Sequence, residues 1–147
     1  MKRVSDLLDH KGQDIWSLAP DATVYEAIDQ MAQKGCGALL VMEGKRLVGI
    51  ISERDYARKV ILKGKSSREI AVHEIMSYPV ICIPPEMTVE QTMALMTEKH
   101  VRHLPVVVDE TVVGVISIGD LVKHVISCQQ AAIAHLESYI HGGFAAG

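Results

Sequence analysis

The sequence repeats itself. Slid along itself by 65 residues, its two halves align without a gap. Pro20 falls on Pro85, Thr23-Val24 on Thr88-Val89, Met31 on Met96 and Lys34 on Lys99. Further on, Leu39 and Val41 meet Leu104 and Val106, Val48-Gly49 meets Val113-Gly114, and Ile51-Ser52 meets Ile116-Ser117. Asp55 meets Asp120, and the lead-ins Val4–Leu8 and Val72–Met76 also correspond. Register kept over so many positions means that one supersecondary unit occurs twice. A unit of about 60 residues has little interior of its own. The two are therefore expected to pack together about a pseudo-twofold axis, with a cleft on each side of it.

Each unit reads β-α-β-β-α. Thr23 with Glu26, and Thr88 with Gln91, have the spacing of capping boxes that open helices. Behind them Val24, Ala27, Ile28 and Met31, and again Val89, Met93 and Met96, recur at helical spacing. Two β-branched runs follow in each half, 37–42 and 47–51, then 104–108 and 112–116, joined by Glu-Gly-Lys or Asp-Glu-Thr turns. Another helix starts near Ser52 and near Ser117, and the polar stretch 63–71 joins the halves. The fold expected is α/β (α+β): residues 1–71 as first repeat with lead-in and linker, 72–126 as second repeat, and 127–147 as C-terminal helix and tail. Val122, Val125, Ile126, Ile133, Leu136 and Ile140 share a helical face too long for one half to cover, so part of it should meet a partner subunit.

Composition narrows the functional classes. A chain of 147 residues, 48% hydrophobic and 22% charged, is that of a globular protein, and a net charge of −3 announces neither nucleic acid nor an anionic membrane as partner. No apolar run approaches the ~18 residues of a membrane span. Cys36, Cys82 and Cys128 are odd in number and far apart, which suits reduced thiols in a cytoplasmic protein better than a disulfide or zinc framework. His100 and His103 lack a Cys or acidic partner beside them, so no metal site is expected. No nucleophile with its base and no paired carboxylates stand at recognisable spacing, which argues against an enzyme.

The sharpest local feature is Gly-h-h-Ser-x-x-Asp, at Gly49–Asp55 and again at Gly114–Asp120. Glycine permits close backbone approach, while the Ser hydroxyl and open helix N–H groups can hold a phosphate. An Asp one turn into the helix can accept both hydrogen bonds of a ribose diol. The same residues equally describe a helix cap, with Ser as N-cap and Asp at the positive end of the helix dipole.

These motifs, with Gly37–Met42, Gly49–Val60, Arg102–Val107 and Gly114–Lys123, make each unit resemble a cystathionine-β-synthase (CBS) domain. The whole resembles a stand-alone CBS pair, or Bateman module, over roughly residues 4–126. It is similar to the small bacterial CBS-pair proteins and plant organellar relatives often named after inosine monophosphate dehydrogenase, although that enzyme's catalytic barrel is missing. The resemblance implies adenosyl ligands: AMP, ADP, ATP, NAD-type dinucleotides or S-adenosylmethionine. Carried over, it places Ser52, Arg54 and Asp55 in one cleft with adenine against Val80 and Ile81. The other cleft would use Ser117, Gly119 and Asp120, with adenine near Ile15 and Trp16 and backbone from Gly37-Ala38.

In the family, basic residues for the phosphates often stand where Arg102 and His103 do; their counterparts in the first half are Gly37 and Ala38. The two clefts should therefore differ. Arg102 suits paired phosphate oxygens, against the plainer reading of a surface arginine. His103 would contact phosphate or hydrogen-bond at a subunit seam. Trp16 would stack on a base or, as is commoner for Trp, pack in the core or an interface. Lys11 and Gly12 could reach a phosphate in the second cleft.

Together these readings describe a non-catalytic adenine-nucleotide sensor, a homodimer without catalytic cofactor, that signals to an unidentified target protein. The alternative is an interaction scaffold whose clefts no longer bind.

Overall fold

The first half runs α1 (Val4–Lys11), β1 (Ser17–Leu18), α2 (Val24–Lys34), β2 (Ala38–Glu43), β3 (Arg46–Ser52) and α3 (Glu53–Tyr56). A π-helical stretch, Ala57–Ile61, and a 3-10 turn, Val72–Glu74, lead to the second half. There follow α4 (Val89–Lys99), β4 (His103–Val108), β5 (Thr111–Ser117) and α5 (Ile118–Ala146). The computed structural model describes residues 2–12 and 14–146, with side chains as far as Ile140.

Local sequence explains most of these elements. Thr23 Oγ1 accepts from the Glu26 N–H at 3.1 Å while Glu26 accepts from the Thr23 N–H at 2.9 Å, and Thr88 and Gln91 repeat the exchange at 3.1 Å each. These reciprocal caps satisfy donors that a helix start leaves open. Both antiparallel hairpins carry their bulge at the same place, between Val41 and Met42 and between Val106 and Val107.

The halves differ at the first strand. β1 pairs in parallel with β2 through Ser17–Leu40 and Leu18–Val41, whereas its counterpart in the second half is a single bridge from Ile83 to Val106. In the first sheet the Leu40 N–H donates to the Trp16 carbonyl at 3.1 Å. The residue matching Leu40 is Pro105, which has no N–H to give. The expected opening strand of the second repeat is thus reduced to a bridge.

Packing exchanges the lead-ins. α1 buries Val4, Leu7 and Leu8 in the core of the second half, with Ile83, Val89, Leu104 and Ile116. The segment Ile70–Ile75 buries Ile70, Val72 and Ile75 in the core of the first half, with Val24, Leu39 and Ile51. Backbone bonds fix the exchange reciprocally. The Val4 N–H donates to Met87 O at 2.9 Å and Val89 N–H to Lys2 O at 3.0 Å; Val72 N–H donates to Ala22 O at 2.8 Å and Val24 N–H to Ile70 O at 2.9 Å. Such reciprocity is what a pseudo-twofold relation requires.

The exchange also explains the repeated glycine. A Cβ on Gly114 would stand 2.7 Å from Leu8 Cδ2, and one on Gly49 would collide with the Met76 thioether. Each glycine lies in a strand and makes room for the other half's lead-in. Its close approach is to a side chain of this chain.

The chain is structured across both boundaries read from the sequence. The linker is tied down, with Tyr25 N–H donating to Ser67 O at 2.9 Å and the Arg68 guanidinium 4.3 Å from the Tyr25 ring centroid. The second repeat's last helix and the C-terminal helix are one helix, α5, so position 126/127 falls inside it. Among the described residues no helix is long and apolar enough to cross a membrane.

Candidate functional site

At each repeat's motif, serine and aspartate form a small closed circuit. The Ser52 N–H and Oγ both donate to Asp55 Oδ2 at 3.0 Å, and the Asp55 N–H donates to Ser52 Oγ at 3.2 Å. Ser117 and Asp120 do the same at 2.8, 2.9 and 3.2 Å. The first helical N–H is also engaged: Glu53 N donates to Gly37 O at 3.0 Å, and Ile118 N to Arg102 O at 2.8 Å. Most of the N–H groups expected to lie open for a phosphate are therefore used within the chain.

The first cleft, about 460 Å³, runs from Ser52 and Asp55 across to the segment that precedes β4. Arg54, Arg58, Lys59, Lys99 and Arg102 border it, against the carboxylates Glu53 and Asp55. Arg54 donates to the His100 carbonyl at 3.2 Å, where α4 ends in a left-handed residue (φ 56°), so the guanidinium ties the halves together. Lys59 Nζ lies 3.2 Å from Asp55 Oδ1 and donates to Ile75 O at 2.9 Å; Ser77 Oγ reaches the same carboxylate oxygen at 3.4 Å.

The second cleft, about 390 Å³, holds Ser117, Gly119 and Asp120 opposite Trp16 and Gly37-Ala38. Here the aspartate's lysine comes from the exchanged lead-in. Lys11 Nζ lies 2.6 Å from Asp120 Oδ2 and donates to Val115 O at 2.7 Å. Burial alone would raise the Asp120 pKa, but the Lys11 and Ser117 hydrogen bonds outweigh it and hold the carboxyl below its usual range. Trp16 packs against the first core and carries the Lys34 ammonium 4.4 Å from its ring centroid.

His103 stands between the clefts and borders both, as Gly37 and Ile50 do. A Cβ on Gly37 would lie 3.6 Å from its ring, so the imidazole packs over the glycine. Burial pushes its pKa down first, repulsion from Lys11 and Arg102 adds to that, and Asp120 opposes it.

The structure thus gathers Ser52, Arg54, Asp55, Arg102 and His103 around one cleft, and Trp16, Gly37, Ala38, Ser117, Gly119 and Asp120 around the other. Three residues expected beside adenine lie elsewhere. Ile15 and Val80 border an open groove between the hairpin turns, and Ile81 packs against the second core. Ile50, Ser77 and Val101 line the first cleft instead. Sequence reading also passed over Lys59 and Lys99. The i,i+4 spacing of Asp55 and Lys59 was the available signal for the first; for Lys99 there was only its position in the last turn of α4.

Comparison with known proteins agrees with this fold. A family model described as the CBS domain matches residues 4–62 and again 72–127. The CBS domain-containing protein CBSX3, mitochondrial, of Arabidopsis thaliana is 39% identical over 151 aligned positions, covering 96% of this chain and 73% of that one. A solved CBS-domain protein from Burkholderia ambifaria is 46% identical with a TM-score of 0.83, covering 86% of this chain and 95% of the other. The CBS pair of protein MJ0100, solved with 5′-methylthioadenosine and S-adenosyl-L-methionine, shares the fold at 24% identity and TM-score 0.72, covering 83% of this chain and 98% of that one. By both halves of its sequence, this chain belongs to the CBS domain family.

Proposed function

We propose that this protein is a non-catalytic regulatory module that binds an adenine nucleotide, AMP, ADP, ATP or NAD, between its repeats. Acting as a homodimer in the cytoplasm, it reports the cell's energy or redox state to a target protein. One observation carries this reading: the first cleft sets the Ser52–Asp55 pair, suited to a ribose diol, beside five Lys and Arg side chains suited to phosphates. The adenosine ligands of the MJ0100 pair are of the same chemical class. Ligand binding would act on the relative setting of the halves, because Arg54 and Lys59 each join the motif helix region to a segment beyond it.

A second reading has an observation of its own. Both Ser–Asp pairs are complete as caps, and each aspartate already has a lysine, so the motif is satisfied without a ligand. A scaffold with inactive clefts would look the same there.

Thermal-shift titration with AMP, ATP and NAD decides between them. At a hundredfold excess over Kd a ligand adds about 2.7 kcal/mol, raising Tm by roughly 2–4 °C per kcal/mol at this size. The shift is expected to disappear in Asp55→Asn and, for ATP, to shrink in Arg102→Gly, which gives the second half the first half's residue. A flat response in folded wild-type protein would establish the scaffold reading.

A further inference from the structure

Beyond Leu121, α5 leaves both cores. Every residue from Ile126 to Ile140 is exposed, a stretch of helix on the order of 22 Å long. An isolated helix of that length is marginal in water, yet this one presents large apolar groups. Their spacing is strict. Ile126, Ile133 and Ile140 recur every seven residues, and Val122, Gln129 and Leu136 recur every seven between them. The five apolar members are 42–58% exposed. This is a heptad pattern with isoleucine at every a position, Val or Leu at two d positions and one polar residue, Gln129, at the third.

We infer that this part of α5 forms a parallel, two-stranded coiled coil with the α5 of a second copy. It deepens the dimer of the proposed function by naming its contact, and it is independent of the nucleotide clefts. A 3.5-residue repeat is self-complementary, and β-branched a positions with Leu at d favour two parallel strands. Gln129 selects the register. In parallel alignment it faces Gln129 of the second copy, where two amides can exchange hydrogen bonds; in antiparallel alignment it would face an isoleucine. Charge does not oppose the pairing, since Glu137 is the sole Asp, Glu, Lys or Arg between 124 and 140. A strongly charged partner finds no counter-charge there.

The test combines sedimentation velocity with a cross-link. Cys36, Cys82 and Cys128 are changed to Ser and Gln129→Cys is introduced. A disulfide needs Cβ atoms about 3.5–4.5 Å apart, which facing d positions of a parallel pair can supply. Expected are a dimer at micromolar concentration and near-complete disulfide cross-linking between copies on mild oxidation. Adding Ile133→Asp and Leu136→Asp should abolish the cross-link while leaving the cooperative unfolding of the two cores in place, because this stretch touches neither core. A monomeric wild-type chain, or a dimer whose introduced thiols fail to cross-link, overturns the inference. Failure of nucleotide binding in the same samples would count against the proposed function alone.

Discussion

The two clefts come from the same repeated motif and end up unequal. Each has its Ser–Asp circuit, its helix start bonded to the residue just before the hairpin's first strand, and a lysine on its aspartate. In the first cleft that lysine comes from the same helical segment, one turn away; in the second it comes from the exchanged lead-in helix. Where the first half has Gly37 and Ala38, the second has Arg102 and His103, and these side chains turn toward the first cleft's border. Repetition therefore fixes the frame, while a few unmatched residues set the chemistry. The first cleft is the more cationic; in the second, Lys11 sits on the aspartate.

The exchange of lead-ins is common to both halves, and breaking it gives the largest expected effect. Gly114→Ala should cost about 1–3 kcal/mol, the usual range for overpacking, because Leu8 is buried and has nowhere to move. Gly49→Ala should cost less, since the thioether of Met76 is only partly buried and can reroute. Urea unfolding of the two variants measures the difference. Equal losses would mean that the halves tolerate crowding alike and that the asymmetry ends at the clefts.

A smaller effect separates the clefts by pH. His103 is harder to protonate in the fold than in the unfolded chain, where its pKa is near 6.5. Its contribution to stability is thus complete above about pH 6.5 and is lost as pH falls toward its lower folded value. Asp120 behaves likewise in a more acid window: its contribution is full at neutral pH and is lost as pH falls from the ordinary aspartate range, near 3.9, through the depressed folded value. His103→Gln should flatten the upper window and Lys11→Met the lower, read as Tm against pH. Asp120 lies at the second cleft, and His103 borders both. A Lys11→Met variant whose lower window stayed as steep as the wild type's would overturn the assignment to Asp120.

How much of this was legible follows from how local each feature is. The repeat, the capping boxes at Thr23 and Thr88 and both hairpins are written in neighbouring residues, and they appear where the sequence puts them. The reduced strand at Ile83 was readable too, because Pro105 cannot donate where Leu40 does. The exchange was not. The lead-ins match at an offset of 68 and the bodies at 65, but nothing in that arithmetic says that Val4 seeks Met87 rather than its own half. What the glycine admits was hidden for the same reason, its neighbour Leu8 being over a hundred residues away in sequence. Lys11 on Asp120 is a contact of that kind as well.

The smallest expected effect compares the two hairpin turns, which connect like strands with unlike residues. The first turn is Gly44-Lys45, with the left-handed position taken by Gly44 (φ 61°). The second is Asp109-Glu110, and both residues are left-handed, at φ 49° and 66°. Two-residue hairpin loops favour such angles, and Asp bears them better than Glu does. A non-glycine residue there costs roughly 1–2 kcal/mol, from which glycine's extra chain entropy of about 0.5–1 kcal/mol must be subtracted. Glu110→Gly should accordingly stabilise the second half by about 0.5 kcal/mol, while Gly44→Ala should destabilise the first by about 1 kcal/mol. Opposite signs in chemical denaturation would show that the second repeat carries strain the first avoids. Loss of stability in Glu110→Gly would instead mean that the glutamate side chain holds a contact that outweighs its strained backbone.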